Sequence, residues 1–240
     1  MNILKETLKK AIYREKYSSE TFIKFLKKKN ISIGEHCTIY NPRNTIIDYQ
    51  NPQAITIGNF VRIADGVKIL THDYSLSVVA GVTGNIIGSV KPVVIGSNVF
   101  IGMNAIILNN IRIGNNVIIG AGSVVTHDCE ENSVYAGNPA KRICSIDQLH
   151  KKRKKYEKED AKALVKIFYK KTGKVPDEQI LREYLMLFSN RKKEIPDELK
   201  KLMQDSGNYQ KCVNNFYQNR AEFKDIDDFI HWCDLKELSK

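Results

Sequence analysis

The sequence predicts a mainly β chain, a parallel β-helix of short strands, with short helices before it and a helical extension after it. Three observations carry this. Branched aliphatic residues recur at six-residue spacing, broken by a few insertions, at Ile33, Ile39, Ile57, Ile63, Ile69, Ile95, Ile101, Ile107, Ile113, Ile119 and Val125. The next residue is usually small (Gly34, Gly58, Ala64, Gly96, Gly102, Gly114, Gly120), and three residues further on stands another small or apolar one (Cys37, Val61, Val67, Val99, Ala105, Val117, Ser123). From about residue 145 the glycine punctuation thins and the apolar period becomes helical. A period of six fits neither a 3.6-residue helix nor a simple alternating strand, but it suits strands and tight corners whose aliphatic residues stack inside a coil.

Residues 1–30 read as one or two basic amphipathic helices, with Leu4, Leu8, Ala11 and Ile12 on one side and Phe22, Ile23, Phe25 and Leu26 in a second cluster. Such a segment suits a cap over the open end of the coil, and its lysines equally suit peripheral contact with an anionic membrane. Residues 31–144 hold the repeat. Three hexapeptides make an 18-residue turn, and turns begin near Ile57, Ile95 and Ile113. The first of these steps has 20 residues too many, so residues 75–94 are expected to leave the coil after Thr71-His72-Asp73 as a flexible, exposed arm. Residues 145–240 are expected to form a helical bundle, using Leu164, Ile167 and Phe168, then Leu181, Leu185 and Phe188, then Leu199 and Leu202. Val175-Pro176-Asp177-Glu178 and Ile195-Pro196-Asp197-Glu198 each carry a helix-start signal, with Pro suited to the first turn and acids to the positive end of the dipole.

Composition excludes several classes. No apolar run approaches the roughly 18 residues needed to span a bilayer, and the N-terminus lacks the apolar block of a signal peptide. A cytoplasmic chain is expected, with the inner face of the membrane as a place of contact. The five cysteines are scattered and lack CxxC pairs, against a disulfide framework or a zinc knuckle. The formal charge of +11 is uneven: nine basic and three acidic residues in 1–32, seven of each in 33–144, and 22 and 17 in 145–240. A balanced repeat region with basic flanks is not the reading surface of a nucleic-acid binder, so no nucleic-acid partner is expected.

Together the repeats, His72 before the excursion, the block VVIGSNVFIGMNAIIL (93–108), IGAGSVVTHD (119–128) and the terminator VYAGNPAKRI (134–143) resemble the hexapeptide-repeat acyltransferases of left-handed β-helix fold. The likeness covers roughly residues 31–144 and is greatest to the branch of maltose, galactoside and polysaccharide O-acetyltransferases. It implies a homotrimer that uses acetyl-CoA as acyl donor. It also implies His72 as the catalytic base, Asn44, Asp48 and Phe100 on the acceptor side, and Gly102, Met103, Ala121, Thr126, His127, Lys141 and Arg142 along the coenzyme A groove. The chemistry suits these types. A hydroxyl is a weak nucleophile until a base takes its proton, and an imidazole is matched to that task near neutral pH. Gly102 is expected to offer its backbone N–H to the oxyanion, its missing side chain letting the thioester approach. Lys141 and Arg142 provide charge for phosphates. Two departures stand out: Phe100 where relatives often have Trp, and Met103 where sugar acetyltransferases often have Ser.

With Val125 in register with Ile69 and Ile107, His72, Asn110 and His127 are expected at equivalent positions on successive coils. His127 is then about 10 Å from His72, two strand spacings, too far to share a proton. Only His36, His72 and His127 lie in the repeat, no convincing zinc set, so no metal is expected. The expected activity is acetyl transfer to a hydroxyl of a sugar, a unit of a cell-surface polysaccharide. N-acetylation of a nucleotide-linked amino sugar or small amine, and a non-catalytic β-helix scaffold, stay open beside it.

Overall fold

The computed structural model describes residues 2–235. The side chains of Leu4 and Lys5, part of the expected amphipathic face, lie outside the described ones. The chain divides into two compact units at Gln148/Leu149. The first opens with helices α1 (Asn2–Tyr13) and α2 (Ser19–Lys28) and continues into strands β1 (Ser32–Ile33), β2 (Thr38–Ile39), β3 (Ile46–Ile47), β4 (Ile55–Ile57), β5 (Arg62–Ile63) and β6 (Lys68–Ile69). Helix α3 (Leu76–Thr83) interrupts the coil, which resumes as β7 (Val93–Ile95), β8 (Phe100–Ile101), β9 (Ile106–Ile107), β10 (Ile111–Ile113), β11 (Ile118–Ile119) and β12 (Val124–Val125). An antiparallel hairpin, β13 (Ser133–Ala136) and β14 (Lys141–Ser145), ends it.

Three parallel sheets form the faces of a left-handed β-helix: β1-β4-β7-β10, β2-β5-β8-β11 extended by the hairpin, and β3-β6-β9-β12. In-register pairing puts like residues one above another: Ile33, Ile57, Ile95 and Ile113 on the first face, Ile39, Ile63, Ile101 and Ile119 on the second, and Ile47, Ile69, Ile107 and Val125 on the third. All are buried. Each such side chain contributes about 1.5–3 kcal/mol when removed from water, which explains why the aliphatic period is so regular. The corners demand a left-handed backbone, and Asn98, Asn116 and Asn132 adopt it at φ near 56°, a conformation Asn tolerates better than most residues. Their amides form a ladder, with Asn98 donating to Asn116 at 2.9 Å and Asn116 to Asn132 at 2.8 Å. His36 belongs to a corner too: its φ is 58° and its ring stacks on Phe60 at 4.7 Å.

The open end near β1 is covered by α2. Phe22 and Leu26 are buried in the same core as Ile31, Ile33 and Ile39, the Ser19 hydroxyl accepts the N–H of Ile39 at 2.9 Å, and a capping box at Ser18 starts the helix. Helix α1 leaves Leu8 and Ile12 exposed. The excursion departs from expectation, because residues 76–83 are helical rather than a flexible arm. Gly84 ends that helix in the left-handed region at φ 76°, its N–H bonded to Ala80 O. The arm's return is tied to the coil by Lys91 N–H to Thr71 O at 2.9 Å.

The second unit has its own core. Ala161 and Val165 of α4 (Ile146–Thr172) pack with Leu181, Leu185 and Phe188, and with residues of α5 (Asp197–Asp205), α6 (Tyr209–Gln218) and α7 (Ile226–Cys233). Pro196 precedes α5 as expected. The matching signal at Pro176 opens no α-helix: the Asp177 carboxylate accepts Ile180 N–H at 3.0 Å and the chain turns into a 3₁₀ segment (Arg182–Leu187) that buries Leu185. Among the described residues, no helix is long and apolar enough to cross a membrane.

Candidate active site

Strands β3 and β6 pair with Ile47 beside Ile69, so the residues that follow them, Asp48 on one coil and Thr71-His72 on the next, meet at one corner. Asp48 Oδ2 lies 2.6 Å from His72 Nδ1. The same oxygen accepts the Thr71 N–H at 3.1 Å and the Thr71 hydroxyl in a short bond, while Oδ1 accepts the Gln50 N–H at 3.1 Å. Burial pushes the Asp48 carboxyl up, but the bonds from Thr71, Gln50 and His72 outweigh it and hold the group below the usual carboxylate range. An ionised carboxylate only accepts. Nδ1 of His72 is therefore the donor, and in the neutral imidazole the lone pair sits on Nε2. The Asp48 side chain is 6% exposed and that of His72 29%, so the ring has an open side while its partner is sealed. Asp48, expected on the acceptor side, has its carboxylate turned onto Thr71, Gln50 and His72. Asn44 is exposed in the turn that precedes β3, which follows from Asn41 O accepting the amides of Asn44 and Thr45.

On the second face, Phe100 points outward and stacks in register between Arg62 and Ile118. Gly102 does not offer a free N–H. Its amide donates to Ile119 O at 2.8 Å, because the residue after each strand still belongs to the ladder between coils. The need for glycine here is also internal: a Cβ would stand 2.5 Å from Ala121 N. The next amide, that of Met103, makes no hydrogen bond among the described residues, and the Met103 side chain is exposed beside the exposed Ala121.

The pairing corrects the placement of His127. Val125 stands beside Ile107 and Ile107 beside Ile69, so the second residue after each strand aligns His127 with Asn109 and Thr71, not with Asn110 and His72. The two Thr-His-Asp triplets are offset by one residue relative to their strands. His127 is exposed, its Nδ1 2.7 Å from the Thr126 hydroxyl, in a groove of about 520 Å³ shared with Pro92, Asn110, Arg112 and Asp128. Lys141 and Arg142 lie on β14 opposite Ala136 and Tyr135. Both are exposed, and Arg142 Nε is 3.7 Å from Glu130 Oε2, a loose surface pair worth little.

Thr71 and the Met103 amide are the functional candidates that sequence reasoning missed. Thr71 is fully buried, and a hydroxyl residue adjoining a histidine at a coil corner is the one signal that pointed to it.

The model of the bacterial transferase hexapeptide (six repeats) matches residues 92–127. Protein CapG of Staphylococcus aureus is 40% identical over 127 residues, which cover 53% of this chain and 73% of that one. A 2,3,4,5-tetrahydropyridine-2,6-dicarboxylate N-acetyltransferase of Alkaliphilus metalliredigens is 48% identical over 71 residues, 30% of each chain. Among solved structures, a hexapeptide-repeat containing acetyltransferase of Vibrio cholerae is similar at 31% identity and a TM-score of 0.42, with coverage of 48% of this chain and 62% of that one. The matches thus fall short of the full length of these proteins. The family model falls on the coil described above, and the chain belongs to the hexapeptide-repeat transferase family.

Proposed function

We propose that the chain transfers an acetyl group from acetyl-CoA to a hydroxyl of a saccharide, a unit of a cell-surface polysaccharide, with His72 as general base. The observation that carries this reading is the 2.6 Å contact between His72 Nδ1 and the buried Asp48 carboxylate. Asp48 fixes the ring and its tautomer, and Nε2 takes the proton of the acceptor hydroxyl as the oxygen attacks the thioester carbonyl. The forming imidazolium is stabilised by the Asp48 charge. The tetrahedral oxyanion needs a donor. The Met103 amide, unbonded among the described residues, follows β8 and so stands at a different corner of the coil from His72, and in this proposal it is supplied by a neighbouring subunit of the homotrimer in place of Gly102. Collapse breaks the C–S bond, and the coenzyme A thiolate receives the proton from His72. Asp48 is a positioning residue in this scheme, and Thr71 holds Asp48.

For the donor, Met103, Ala121, Thr126 and His127 are assigned to the path of the pantetheine arm, with Lys141 and Arg142 toward the phosphates. Assembly as a homotrimer is part of the proposal. Residues 74–90 contain no charged side chain, yet Val78, Val82 and Ile86 are exposed, and an apolar patch of this kind marks a surface that another subunit covers. The exposed Leu8 and Ile12 of α1, beside the N-terminal lysines, fit peripheral contact with the inner, anionic face of a membrane.

An amine acceptor is the second reading, favoured by the 48% identity to an N-acetyltransferase. A non-catalytic scaffold has no need of a buried carboxylate aimed at a half-open imidazole. Coenzyme A release measured against saccharides, nucleotide sugars and amines tests all three. A saccharide is expected to be the turned-over acceptor, and His72→Ala is expected to cost about a hundred to ten thousand fold in kcat with little change in acetyl-CoA affinity. Turnover within threefold of wild type removes His72 from the mechanism.

A further inference from the structure

A cavity of about 800 Å³ opens within the C-terminal unit and draws its lining from the first turns of α4, the segment 183–191 and the end of α6, a size suited to a small ligand. The transfer chemistry above makes no use of it. Three arginines line it: Arg153, Arg191 and Arg220. Among the described residues none of the three has a carboxylate at ion-pair distance.

Arg191 is the informative member. Its Nε donates to Asn219 O at 3.2 Å, Nη1 to Ser189 O at 3.1 Å and Nη2 to Met186 O at 2.5 Å, and its guanidinium lies 4.1 Å from the Phe216 ring. Every one of these partners is neutral. The guanidinium is held in one orientation, and three of its five N–H groups are used, but its charge is taken from water without a counter-ion. Desolvation alone shifts Arg191, downward, and a half-buried cation of this kind is costly until an anion joins it.

The cavity's carboxylates are arranged differently. Glu157 is paired with Lys154 at 2.7 Å. Asp160 and Glu183 gather about Tyr184, whose phenol is pushed up first by burial and then by these charges. No carboxylate contributes to the Arg191 shift.

We propose that this cavity binds a saccharide carrying a phosphate monoester, with the phosphate on Arg191, Arg153 and Arg220 and the sugar hydroxyls on Asp160 and Glu183. A phosphate monoester brings a charge of about −1.5 to −2 at pH 7 and several acceptor oxygens, and guanidinium forks match that geometry better than a point charge does. Ionised carboxylates only accept, so they select hydroxyl donors and reject a second anion.

Calorimetric titration of the full chain with inorganic phosphate, glucose and the 1-phosphates of glucose, galactose and N-acetylglucosamine tests this. At least one sugar phosphate should bind saturably and ten or more times more tightly than inorganic phosphate, and glucose should bind far more weakly. Arg153 and Arg220 have exposed side chains, so the double variant Arg153→Ala/Arg220→Ala should keep its circular dichroism spectrum and lose at least tenfold in sugar phosphate affinity. Glu183→Gln should weaken the sugar phosphate and leave inorganic phosphate unchanged. Absence of saturable binding across the panel, or an unchanged Kd in the folded double variant, overturns the site. Equal affinity for inorganic and sugar phosphate overturns the saccharide assignment, as does co-sedimentation with phosphatidylglycerol vesicles that depends on the same two arginines.

Discussion

Asp48→Asn separates a positioning carboxylate from an ordinary buried polar residue. The amide is nearly isosteric, but it presents one acceptor oxygen and one NH2 group where the carboxylate accepts from Thr71 N–H, the Thr71 hydroxyl, Gln50 N–H and His72 Nδ1. At least one donor loses its partner, and the imidazolium loses its counter-charge. A hydrogen bond to a charged group contributes about 1.5–3 kcal/mol, and tenfold in rate corresponds to about 1.4 kcal/mol. The expected loss in kcat is therefore about ten- to 150-fold, larger if the ring adopts the other tautomer, with acetyl-CoA KM within about threefold of wild type because the Asp48 carboxylate is engaged by Thr71, Gln50 and His72. The stability effect has a defined pH sense. Because the folded Asp48 pKa is depressed, its contribution is present above the unfolded value of about 3.9 and disappears as pH falls through the still lower folded value. Wild type should accordingly melt above the variant at pH 7, and the gap should shrink as the solution is acidified below about pH 3.9. Steady-state coenzyme A release and thermal melts from pH 7 downward provide both readouts. A variant with kcat within twofold of wild type, or a melting gap that does not change with pH, refutes the assignment of Asp48 as the ionised partner of His72.

Two further perturbations probe the coil and the thiols. Gly102→Ala places a Cβ 2.5 Å from Ala121 N and should destabilise the fold by about 1–3 kcal/mol through overpacking, with part of the loss in activity following from the displaced Met103 amide; an unchanged melting temperature would show that the coils can separate there at no cost. Cys129 and Cys233 are buried, and burial pushes their thiols up to about 12 and about 11. At pH 8 both should resist alkylation in the native protein and react on denaturation, read by mass spectrometry of labelled peptides, and rapid native labelling of either would contradict its burial.

What was legible in the sequence, and what was not, follows from how often a physical constraint repeats. The coil shows because every turn imposes the same demand: an aliphatic residue facing inward and a small residue where the next backbone passes close. A signal repeated along Ile57, Ile63, Ile69 and their successors survives a few insertions. The corner that holds the candidate catalytic pair occurs once. From Ile39 the six-residue count leads to Thr45, whereas the inward residue of β3 is Ile47, two places later, after the turn at residues 42–44. Counting alone therefore assigns Asp48 no partner, and only the pairing of Ile47 with Ile69 brings it to His72. The same arithmetic misplaced His127, because identical triplets begin at different distances from their strands. Gly102 shows a different limit. Sequence marks a position where a side chain cannot fit but not which neighbour excludes it, and the neighbour here is the next coil rather than a thioester. The ladder that uses the Gly102 N–H leaves that of Met103 without a partner among the described residues, so the proposed backbone donor is set by where the ladder stops. That position is a property of pairing between turns, which no single hexapeptide contains.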